Sequence, residues 1–72
     1  MDKIKARIIV AYARCSMNIT NAASKANYSR NGFLWHLDKI KSITGLDPRN
    51  FFDLHELYSI ACNILGDEAN EI

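Results

Sequence analysis

Apolar positions in the first quarter of the chain return every three to four residues, at Ile4, Ile8, Ala11 and Cys15, with Val10 and Tyr12 at the edges of the stripe. That is the period of a helix with one buried side. With Asp2 as its N-cap, the pattern predicts a first helix over 3–17, a brace for the rest, closed by Asn18 in a left-handed conformation. A second helix is predicted over 20–26, capped by Thr20 and carrying Ala22, Ala23 and Ala26. A third, over 29–44, has Ser29 as cap and buries Phe33, Leu37, Ile40 and either Ile43 or Thr44. The fourth, over 50–65, follows Pro48 and the Asn50/Asp53 capping pair, and is apolar at Phe51, Phe52, Leu54, Leu57, Tyr58, Ile60, Ala61, Ile64 and Leu65. No stretch alternates with period two, so no strand is assigned, and residues 45–50 offer the only room for a short wing. The fold class is all-α: one small four-helix domain over 1–72, its core built from Ile8, Ala11, Ala23, Phe33, Leu37, Ile40, Leu54, Leu57 and Ala61. Residues 67–72 read as a frayed acidic tail.

The second and third helices are joined too closely for an ordinary loop, and this defines a helix-turn-helix reading unit at about 18–45. Where two helices cross over three or four residues their backbones come close, which explains the alanines; a side chain larger than methyl at Ala23 would push them apart. Asn27 stands at the corner, where φ is positive and Asn is the best non-glycine choice. Gly45 closes the third helix, with Leu46 folding back as its apolar contact.

At about 100° per residue, Asn31, Trp35, Asp38 and Ser42 fall opposite Phe33 on the third helix, with Arg30 and Leu34 flanking the buried stripe. A helix N-terminus offers free N–H groups and a favourable dipole to phosphate. Ser29, Arg30, Asn31, Leu34 and Trp35 are therefore the candidates to enter a major groove, with Lys25 and Lys39 set for phosphates. Arg30 suits guanine or a phosphate, Asn31 adenine, and Leu34 a thymine methyl; Leu34 and Trp35 equally suit a protein seam.

Asn18-Ile19-Thr20, Ala22-Ala23, Arg30-Asn31, Phe33, Trp35, Leu37, Ile40 and Thr44-Gly45-Leu46-Asp47 together resemble the C-terminal helix-turn-helix of PucR-type transcription regulators, which are related to Fis-type DNA-binding domains. The resemblance covers the middle of the chain, and the flanking helices fit the same layout. It implies a transcription regulator that binds double-stranded DNA. Such regulators usually carry this domain behind a large sensory region, so the controlling signal is expected to lie outside this chain. Gly32 departs from the family's usual Thr, and Leu34, His36 and Asp38 stand where arginines are common, which weakens the expected attraction along the helix.

Charge sharpens this picture. The net charge is +1, yet residues 1–49 hold all nine bases against three acids, and residues 50–72 hold five acids and no base. A basic body with an acidic end suits a protein that faces phosphate on one side. Cys15 and Cys62 lie far apart outside any metal-ligand spacing and read as unpaired thiols of a reducing cytoplasm. His36 and His55 lack Cys or carboxylate partners at ligand spacing, and there is no phosphate loop or nucleophile elbow. No enzymatic role, metal or cofactor is expected. No apolar run approaches the roughly 18 residues that span a bilayer. The last helix is apolar over more than one face, and a core this small gains from a partner, so a homodimer is expected. The competing reading is a helical protein-interaction module that has lost DNA binding, suggested by Leu34, Trp35 and Asp38 on the third helix.

Overall fold

The computed structural model describes residues 1–72. Four helices follow one another without a strand: α1 (Lys3–Arg14), α2 (Ile19–Lys25), α3 (Arg30–Thr44) and α4 (Phe51–Leu65), then a short 3-10 segment (Gly66–Glu71). α1 touches each of the other three, with the α2–α3 pair on one side and α4 on another.

α1 is a central post rather than a brace. Five consecutive residues, Ile8 to Tyr12, are buried, so neighbours cover the helix on almost every side. Val10 and Tyr12 lie inside the core, whereas Ile4, expected in the stripe, is exposed and Cys15 is half-buried. All nine expected core residues are buried, joined by Ala6, Ile9, Ala22, Leu65 and Ala69.

Capping sets most boundaries. The side chains of Asp2, Asn18, Ser29 and Asn50 each accept a backbone N–H from the first turn of the helix they precede. Asn18, not Thr20, caps α2, receiving the N–H of Asn21 at 2.9 Å. It has extended backbone there, so it does not end α1 as a left-handed residue either. That work falls to Ser16 and Met17, at φ 55° and 64°, and Met17 N–H closes the end by donating to Tyr12 O at 2.9 Å. α1 thus stops three residues earlier than its periodicity suggested. Positive φ costs a non-glycine residue about 1–2 kcal/mol, and neither Ser nor Met advertises it in a sequence.

Residues 45–50 form a tight turn and not a wing. Gly45 takes φ 76° and its N–H donates to Lys41 O. Thr44 Oγ1 accepts the N–H of Leu46 at 3.1 Å, and Pro48 is buried. Asp53 accepts the N–H of Asp47 at 3.0 Å, tying the turn to the first turn of α4.

The acidic end, expected as a loose tail, is folded as a 3-10 segment over Gly66–Glu71. Gly66, at φ 58° and ψ −129°, occupies a region almost closed to other residues and turns the chain back toward α1. Ala69 is then buried, and Glu68 receives Lys3 and Arg7 at 3.2 and 3.0 Å. Burial of one small apolar side chain and two ion pairs to α1 hold the segment, a combination no local pattern displays.

Candidate nucleic-acid interface

α2 packs Ala22 and Ala23 inward, and its Lys25 is exposed at the last turn. The chain then reverses at Asn27, φ 63°, while Tyr28 N–H donates to Ala23 O at 2.8 Å. This bond and the left-handed Asn fix the turn, so α3 starts at a set angle to α2. Ser29 Oγ accepts the N–H of Gly32 at 3.1 Å. A Cβ at Gly32 would lie 3.1 Å from that same oxygen, so glycine at this position keeps the capping hydroxyl uncrowded.

Phe33, Leu37 and Ile40 bury one side of α3. Ser29, Arg30 and Asn31 are exposed together at its N-terminus, with Trp35 and Lys39 exposed further along. Leu34 is half-buried against the core. Trp35 lies outside the core; 54% exposed, it stands edge-on to His36, with the Lys39 and Lys5 ammonium groups 5.3 and 5.8 Å from its ring centre.

His36 lies between Trp35 and Tyr28, whose rings meet it edge-on at 5.1 and 5.0 Å. Its Nδ1 is buried without a hydrogen-bond partner. Burial, with a contribution from Lys5, pushes its pKa below the ordinary value, so the ring is neutral at pH 7 and adds no charge to this face.

Ion pairing divides the nine bases. Lys3 and Arg7 meet Glu68, Lys41 meets Asp47, and Arg49 meets Asp38. Arg14 donates to the Tyr58 hydroxyl and the main-chain oxygen of Ile72. Lys5, Lys25, Arg30 and Lys39 have no acid partner. Three of these four are residues that sequence reasoning selected, and they lie on α2 and α3. The basic excess of the first two-thirds is therefore partly consumed by the folded-back tail, and what is left free gathers on the helix-turn-helix and the start of α1.

Two residues of this surface escaped sequence reasoning. Lys5 comes from another helix, and Arg49 reaches back from the α3–α4 turn to neutralise Asp38. Neither is visible from spacing along α3.

Scanned against protein-family models, residues 6–63 match the PucR C-terminal helix-turn-helix domain. The chain belongs to this family. No curated protein and no solved structure gives a significant match. The PucR-type match covers α2 and α3 entirely and most of α1 and α4, and leaves the 3-10 segment outside it. Membership points to DNA-binding transcription regulation, and this is not an enzyme family. No helix is long and apolar enough to cross a membrane.

Proposed function

We propose that this protein is a transcription regulator that binds specific sites in double-stranded DNA through α3, acting as a homodimer in the cytoplasm. The observation that carries the reading is the set of unpaired, exposed cations: Lys25 and Arg30 on either side of the turn that leads into the capped N-terminus of α3, and Lys39 further along the same helix. Phosphate contacts supply most of the affinity in such complexes, and free ammonium and guanidinium groups are what they require. Arg30 and Asn31, the first two residues of the helix, present a guanidinium fork and a carboxamide to guanine and adenine edges. Ser29 flanks them, Lys25 and Lys39 take phosphates, Trp35 stands beside Lys39 at the edge of this surface, and the exposed part of Leu34 provides apolar contact to a thymine methyl.

The interaction-module alternative loses support at two of its three residues. Leu34 turns partly into the core, and the charge of Asp38 is countered by Arg49.

α4 supports the dimer. Phe51 and Phe52 are 65% and 79% exposed, their rings edge-to-face at 5.5 Å, and Ile60 is exposed beyond them. Beside Phe51 runs a groove of about 460 Å³ lined by Ala13, Met17, Leu54 and Tyr58. Large apolar groups left in water on one helix favour a second copy. Paired domains then present two α3 helices to half-sites roughly 34 Å apart.

Titration with mixed-sequence duplex DNA at two salt concentrations tests the reading. Affinity that drops steeply between them fits phosphate contact, and binding that is absent or indifferent to salt refutes it.

A further inference from the structure

Lys5 and Lys39 belong to different helices, yet both ammonium groups lie within 6 Å of the centre of one indole ring, that of Trp35. Neither is ion-paired. The acid whose field includes Lys5, Asp2, accepts the Lys5 backbone N–H at 2.9 Å as the cap of α1. Two like charges held around a single ring repel each other. The indole, rich in π electrons, attracts both and offsets part of that repulsion, and since neither is paired with an acid both remain available to an anion. Burial disfavours the charged form of His36, next along α3, so its ring adds no third positive charge to the pair.

We infer that Lys5, Trp35 and Lys39 form a phosphate clamp in which the indole holds two lysines, one from α1 and one from α3, against the DNA backbone beside the groove that α3 enters. The inference rests on the DNA-binding reading and adds α1 to the contact surface. Trp35 is then a positioning residue for two charges. Lys5, on no element of the helix-turn-helix, becomes a phosphate ligand.

The probe is a mixed-sequence duplex titrated over a range of salt, with circular dichroism confirming that each variant remains helical. Lys5→Ala and Lys5→Gln should each lower the salt slope by about one, as Lys25→Ala does, and Lys5→Ala combined with Lys39→Ala should lower it by about two. Trp35→Leu retains both lysines but removes the ring, and should weaken binding roughly two- to fivefold, whereas Trp35→Phe should retain most of the affinity. If the slope is unchanged in Lys5→Ala and Lys5→Gln while Lys25→Ala lowers it, the clamp is wrong and the DNA reading stands. If Lys25→Ala and Lys39→Ala leave it unchanged as well, both fall. Equal loss in Trp35→Leu and Trp35→Phe would assign the indole to direct DNA contact and overturn its positioning role.

Discussion

The carboxylate of Asp38, midway along α3, lies 3.5 Å from the guanidinium of Arg49 in the turn that follows the helix. Both side chains are well exposed, so the pair adds little to stability. Its consequence is electrostatic, since Asp38 is the only acid on α3 and it shares that helix with Arg30 and Lys39. Arg49→Ala should leave the fold intact and weaken duplex binding by exposing the uncompensated carboxylate. Asp38→Asn should strengthen binding. Fluorescence anisotropy with a labelled duplex reads both, and equal affinity in the two variants would contradict the assignment.

Leu37 is buried on α3 at the centre of the core. Leu37→Ala removes three heavy atoms from a close-packed site and should cost about 2–5 kcal/mol. A 72-residue domain has little more than that to lose. Urea denaturation followed by circular dichroism checks it; a midpoint unmoved from the parent would show that α3 is not packed on this residue.

Hydrogen bonds from Lys3 and Arg7 hold the Glu68 carboxyl below its ordinary pKa of 4.5. A carboxyl with a depressed folded-state pKa stabilises the fold above its unfolded value and loses that contribution as pH falls through the folded one. The 3-10 segment should therefore stay docked at neutral pH and loosen only below about pH 4.5, as Glu68 takes up a proton. Amide exchange at Ala69 reports docking directly. In Glu68→Gln the segment should exchange faster at neutral pH, and equal protection in both proteins would mean that Ala69 burial alone retains it.

Phe52 is 79% exposed and outside the core, so Phe52→Glu should preserve the fold. It puts a charge into the proposed α4 seam. Sedimentation at micromolar concentration should show a dimer for the parent protein and a monomer for the variant. A parent that stays monomeric throughout that range would argue against a two-fold site.

Local signals carried far in this molecule. Periodicity and capping located all four helices, because Asp2, Ser29, Asn50 and Gly45 act within one turn of their own position. The positive φ at Asn27 followed from the closeness of two helices, and it is observed. Non-local terms were hidden. Ser16 and Met17 adopt left-handed conformations with no compositional mark, and Asn18 rather than Thr20 became the cap once α1 ended early. Ala69 and Glu68 look like tail residues until Gly66 turns them onto α1. At the candidate interface the exposed Arg30, Asn31, Trp35 and Lys39 follow from helical geometry alone. Lys5 and Arg49 do not, because each arrives from outside α3, and the partial burial of Leu34 depends on packing that the helical wheel places only at its border.

The central claim is that α3 reads DNA, and the most direct test compares two substitutions on a selected duplex and on mixed duplexes. Asn31→Ala should cost roughly 1–3 kcal/mol on the selected site and less elsewhere, because only a base contact depends on sequence. Lys25→Ala should weaken all duplexes about equally and lower the salt slope by about one. If Asn31→Ala and Arg30→Ala both leave affinity for the selected site unchanged, α3 is not the reader, and Trp35 and Leu34 belong to a protein partner instead.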